Sequence, residues 1–121
     1  QNMAASTSVF NAGSTDIGTA MAALGAFISG PVDDDLQSVP GIGPANAAKF
    51  VDAGVENTTQ LIGKFLSLHT GASDGGKETA DAFVAWLKSV GINSKRQLVA
   101  YAIGHKSNIM IPGVFTIEAE D

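Results

Sequence analysis

The sequence predicts an all-α fold: a compact domain of about five helices containing a helix-hairpin-helix, with an extra helix before it and an apolar extension after it. Three observations carry this reading. Apolar residues recur three and four apart in successive segments, the period of one helix face. The segments begin at Ser, Thr, Asp or Asn and mostly stop at glycine, the residues that start and end helices. Two of them flank the turn Pro40-Gly41-Ile42-Gly43. A chain of 121 residues suffices for one domain with a modest core.

Residues 1–15 are small and polar and read as an extended arm. Ser14 or Thr15 caps a helix from about Asp16 to Ser29, with Ile17, Met21, Leu24 and Ile28 on one face. That stripe is expected to pack on the core or to dock a partner. Gly30-Pro31 ends it. Within the triplet Asp33 to Asp35, Asp33 and Asp34 stand at the start of the next short helix. Negative charge suits the helix dipole there, so the triplet reads as a cap rather than a metal site.

Residues 36–54 are the most informative stretch. Leu36 and Val39 form an apolar stripe before the turn, and Ala47, Ala48 and Phe50 form one after it. Gly41 and Gly43 are expected to take backbone conformations closed to other residues, with positive φ at Gly43. Pro44 suits a first helical position. The amides around Gly41, Ile42, Gly43 and Ala45 then face outward at a helix N-terminus, which attracts anions and phosphate above all. This is the pattern of a helix-hairpin-helix, which binds nucleic-acid backbone without sequence preference. Lys49 follows, and is expected to serve the ligand rather than stability.

Gly54 closes the second helix in a left-handed cap. Asn57 or Thr58 caps a third, running to about Leu68 with Leu61, Ile62, Phe65 and Leu66 inward. Thr70 to Gly76 lacks the preceding strand and the Gly-Lys-Ser/Thr end of a nucleotide-binding loop, and reads as a linker. A fourth helix spans about Lys77 to Val90, burying Ala80, Phe83, Val84 and Leu87 and leaving Trp86 half exposed. Gly91 stops it. Asn93 or Ser94 caps a fifth, which buries Leu98, Tyr101, Ala102 and Ile103 and ends near Gly104. Residues 88–98 therefore look like a second, degenerate hairpin. Lys95 and Arg96 oppose the helix dipole there, and a bound phosphate would relieve that; ordinary solvated surface is the alternative. Ile109 to Ile117 is too apolar for a free tail and too broken for a helix, so it packs on its own domain or on a partner.

The net charge is −5, but it is unevenly placed. Asp16 and Asp33 to Asp35 precede the hairpin, and Glu118, Glu120 and Asp121 form an acidic tail. Between them, five acids (Asp52, Glu56, Asp74, Glu78, Asp81) and seven bases (Lys49, Lys64, Lys77, Lys88, Lys95, Arg96, Lys106) leave residues 36–115 mildly basic. Such a body is compatible with weak backbone binding. With no cysteine, disulfides, thiol catalysis and cysteine-ligated metal are excluded. His69 and His105 have no second ligand at metal spacing and read as surface or helix-end residues. No nucleophile–base or paired-carboxylate arrangement is present, so the expectation is no enzyme, no metal and no cofactor. The apolar run Met21 to Ile28 is too short to span a membrane. The chain begins at Gln1, with residues expected upstream, and residues 1–48 hold no Lys or Arg that would mark a basic targeting peptide.

Four motifs occur in order: Ser-Val-Pro-Gly-Ile-Gly at 38–43, Leu-Ile-Gly-Lys-Phe-Leu-Ser-Leu at 61–68, Phe-Val-Ala-Trp-Leu-Lys at 83–88 and Gly-Ile-Asn-Ser-Lys-Arg-Gln at 91–97. Together they resemble barrier-to-autointegration factor, over roughly residues 31–105. The resemblance implies a small SAM-like helical domain that dimerises, bridges double-stranded DNA without sequence preference and binds nuclear-envelope partners. It implies that Gly41, Gly43, Ala45 and Lys49 form one DNA-contacting element and that Asn93, Ser94 and Lys95 form the other. Arg96 joins them by its position. The chain departs from the family in lacking cysteine, in replacing a basic N-terminal segment with a neutral-to-acidic one, and in ending on an apolar segment with an acidic tail.

The expected organisation is an arm and amphipathic helix at 1–30, the helix-hairpin-helix domain at 31–105, and an apolar segment with acidic tail at 106–121. Two functions follow. The first is non-specific double-stranded DNA binding, in the nucleus or cytoplasm, with a homodimer as one form. The second is an accessory or linker subunit of a larger assembly, in an organelle after a targeting peptide is removed, that has kept the fold and lost DNA. Ile17, Met21, Leu24, Ile28, Ile111, Val114 and Phe115 are the expected partner-binding residues. At least one of the two apolar ends is expected to be buried against a second chain, because both left exposed would make too large a patch.

Overall fold

The computed structural model describes residues 9–120; the first part of the expected arm, 1–8, and Asp121 of the acidic tail lie outside them. Among the described residues there are six α-helices and one 3-10 turn, without strands. They are α1 (Thr15–Gly18), α2 (Met21–Ser29), the 3-10 turn Leu36–Ser38, α3 (Pro44–Asp52), α4 (Thr58–Ser67), α5 (Lys77–Ser89) and α6 (Arg96–Met110). Helix α6 is the axis, with α1, α2, α4 and α5 packed on it. It buries a continuous run from Leu98 to Gly104, as a helix apolar on every side must.

The starts follow the local chemistry. Ser14 caps α1 through the Asp16 N–H at 3.3 Å, and Asn57 caps α4 through that of Gln60 at 2.8 Å. Of the aspartate triplet, Asp35 caps the 3-10 turn, whereas Asp33 and Asp34, expected at its start, bond the Asp35 N–H and Thr59 instead. Asp35 accepts from the Gln37 N–H at 2.9 Å. Asp34 accepts from the N–H and hydroxyl of Thr59 at 3.0 and 2.6 Å, pinning the segment before the hairpin to α4. These bonds favour the carboxylate and hold Asp34 below its ordinary pKa.

The helix expected over 16–29 is broken at Thr19–Ala20. The Thr19 hydroxyl donates to the carbonyls of Thr15 and Asp16 at 3.0 and 3.4 Å, a side-chain competition that favours termination. The expected stripe splits with it. Ile17 and Leu24 are buried, Ile28 is half-buried and Met21 is exposed. The first helix of the hairpin is only the 3-10 turn, because Val39 precedes a proline and takes the extended conformation that proline imposes. Ala48, expected inward, is exposed.

The largest correction lies at the C-terminus. Helix α6 continues through Gly104 to Met110, taking in Ile109. The missing side chain at Gly104 seats the Phe115 ring, which an added Cβ would meet at 2.8 Å. Phe115 is fully buried, edge-on to Phe10, Phe65, Tyr101 and His105. His105 is thus part of an aromatic cluster inside a helix, and its Nε2 bonds the Ile117 carbonyl at 2.7 Å. Asn108 Oδ1 accepts from the N–H groups of Gly113 and Phe115 at 2.7 and 3.3 Å, shaping the turn that brings the tail back. Of the residues expected to meet a partner, Ile17, Leu24, Val114 and Phe115 are therefore inside the chain's own core, and Ile111 and Met21 stay exposed. Part of each apolar end thus covers the chain's own domain, while Met21, Ile109, Met110 and Ile111 stay at the surface.

Lys106 is 2% exposed. Its ammonium donates to the carbonyls of Phe27 at 2.8 Å, Ile28 at 3.1 Å and Gly30. A cation is favoured at a helix C-terminus, and here it ties the end of α2 to α6. Burial pulls its pKa below the ordinary lysine value.

Candidate nucleic-acid interface

The hairpin is closed by the Ile42 N–H donating to the Val39 carbonyl at 3.0 Å. Its side chains point inward: Leu36, Val39 and Ile42 are all buried. Ile42, expected at the DNA surface, therefore anchors the turn, with its side chain buried and its N–H taken by Val39. Gly41 has φ +97°. A Cβ there would lie 3.0 Å from Val99 and 3.3 Å from both Leu98 and the Lys95 Cβ. The turn thus rests directly on the first turns of α6, an approach only glycine allows.

Gly43 differs from the expectation. Its backbone is extended at φ −98° and ψ −175°, and no heavy atom lies within 4 Å of a built Cβ. It is the N-cap of α3, followed by Pro44, and no side chain caps that end. Gly43, Pro44 and Ala45 are exposed. The first N–H groups of a helix have no carbonyl partner within it; proline has none to offer, so those of Ala45 and Asn46 are the ones available.

The start of α6 also departs from expectation. Neither Asn93 nor Ser94 caps it. The N-cap position is Lys95, left-handed at φ 63°, again without a side-chain cap. A left-handed lysine stores strain of about 1–3 kcal/mol, a feature that gathers at functional sites.

Contact between Gly41 and α6 brings the two uncapped ends together. One open cleft is lined by Gly41 to Asn46 on one side and by Ser94 and Lys95 on the other. Asn46 reaches Ser94 Oγ at 3.5 Å across it. Asn93 and Arg96 instead line an adjoining hollow, with Ser94 and Lys95 shared between the two. Sequence reasoning missed Asn46; its position one turn into an uncapped helix, beside the glycines, was the available signal.

The cations are more engaged than the sequence suggests. Lys49 Nζ donates to the Gly91 carbonyl at 2.9 Å, tying α3 to the turn before α6. Arg96 donates to the Ile92 carbonyl at 2.9 Å. Lys95 pairs with Asp16 at 3.3 Å. An ammonium has three donors and a guanidinium five, so the single carbonyl bonds leave donors for a ligand. Among the described residues no three His, Asp or Glu side chains gather to hold a metal, and no helix is long and apolar enough to cross a membrane.

A family model described as "Barrier to autointegration factor" matches residues 20–103. The chain is similar to the Caenorhabditis elegans protein "Barrier-to-autointegration factor 1", 30% identical over 77 residues, covering 62% of this chain and 78% of that protein. No solved structure gives a significant match.

Proposed function

This chain belongs to the barrier-to-autointegration factor family, and we propose that it is a non-enzymatic module that binds double-stranded DNA by its backbone, without sequence preference. The observation that carries the reading is the meeting of two uncapped helix N-termini on one glycine-floored cleft. Backbone N–H groups and the dipole at such ends favour phosphate. The amides of Ala45 and Asn46 grip one stretch of backbone, and Ser94, Lys95 and Arg96 take the next. Contacts of this kind position a protein on DNA and carry no sequence information. Bridging needs a second copy, which the family resemblance supports. A second reading, docking into a larger assembly, draws on the exposed side chains of Ile109, Met110 and Ile111.

Titration of duplexes of unrelated sequence at several salt concentrations tests the first reading. Affinity should be equal across sequences, and the slope of log K against log salt should correspond to about two to four neutralised phosphates. Absence of binding at low salt overturns it.

A further inference from the structure

Lys95, the cation shared by the cleft and its adjoining hollow, already has an anion against it. Asp16 Oδ1 lies 3.3 Å from Lys95 Nζ, and both side chains are partly open to solvent. Asp16 also lines the adjoining hollow with Ser94 and Arg96. Its place is secured from both sides. Ile17, the next residue, is fully buried. On the arm before it, Gln97 in the first turn of α6 accepts from the Asn11 N–H at 2.6 Å and donates to the Val9 carbonyl at 3.1 Å. The Phe10 N–H donates to Asp81 at 2.8 Å. The arm is thus a strap sewn along the start of α6, and it brings a carboxylate to the uncapped end that would otherwise receive phosphate.

We infer that Asp16 is a built-in competitor for DNA phosphate, and that the strap carrying it attenuates the binding of the Lys95 half of the cleft. The inference rests on the proposed DNA reading. Phosphate approaching Lys95 must share the ammonium with Asp16 or displace it, and in either case meets its negative charge. The pair is solvent-exposed, and exposed pairs are weak, so the strap weakens binding without abolishing it. The same attraction is screened by salt.

The test uses the full chain and a fluorescent duplex, measured at low and physiological salt. The variants are Asp16→Asn, Lys95→Ala, their combination, and Glu56→Gln as an exposed carboxylate outside the cleft. Asp16→Asn should tighten binding by up to about five-fold at low salt, by more than Glu56→Gln, and the gain should vanish on the Lys95→Ala background. A gain equal to that of Glu56→Gln, or one that survives without Lys95, overturns the inference, because the effect is then net charge alone. If the wild type binds and Asp16→Asn changes nothing, the strap fails while the DNA reading stands. If neither protein binds at low salt, both fall. Circular dichroism of each variant confirms that the comparison is between folded proteins.

Discussion

A side-chain carbon on Gly104 would stand 2.8 Å from the ring of Phe115. The glycine midway along α6 is therefore a seat for an aromatic ring from the tail, and not the end of a helix. Phe115→Ala should cost about 3–5 kcal/mol, the usual range for emptying a buried phenylalanine site. Gly104→Ala should also destabilise. Its gain in helix propensity is about 1 kcal/mol, against about 1–3 kcal/mol for forcing extra volume into a packed core. Urea denaturation of both variants measures this; a Gly104→Ala protein more stable than wild type would show that the ring can move aside.

The two hairpin glycines should separate fold from binding. Gly41→Ala places a side chain at positive φ against Val99 and should cost about 1–3 kcal/mol. Gly43→Val has open space and an extended backbone, so it should cost less than Gly41→Ala, about 1 kcal/mol or under for a poorer N-cap residue. Its side chain would still cover the first amides of α3, and duplex binding should drop. Thermal melts with parallel titrations decide this, and a larger loss of stability in Gly43→Val would contradict the structure.

Lys49→Ala should lose stability as well as binding, by about 1 kcal/mol, because the lysine bridges α3 to the Gly91 carbonyl. The sequence alone had pointed to an effect on the ligand only. Chemical denaturation without DNA tests it.

Asp34 predicts an acid-sensitive joint. Its bonds to Thr59 lower its pKa below the ordinary 3.8. A carboxylate depressed in the folded state adds stability above its unfolded pKa and loses it as pH falls through the folded one. Asp34→Asn should therefore be less stable than wild type at pH 7. The gap should narrow as both proteins are taken below pH 3.8 and through the lower folded value. A gap independent of pH would mean that the charge of Asp34 is not what holds the joint.

What the sequence by itself determined is what depends on residues within a turn or two of each other. Asn57 as a cap, Gly54 as a left-handed stop, the inward faces of α4 and α5, and the all-helical class are all written locally. The four ordered motifs also identified the family. What only the tertiary structure decided depends on close approach between distant parts of the chain. Gly41 rather than Gly43 has positive φ because the turn must lie on Val99 of α6. Gly104 continues a helix because Phe115 returns to cover it. Lys106 is buried because the end of α2 supplies carbonyls 76 to 79 residues away in sequence. Lys95 meets Asp16 across a similar separation. A glycine, a lysine or an aspartate reads alike in a short window whether it faces water or another segment. The packing of the arm, hairpin and tail around one central helix sets which of these it does.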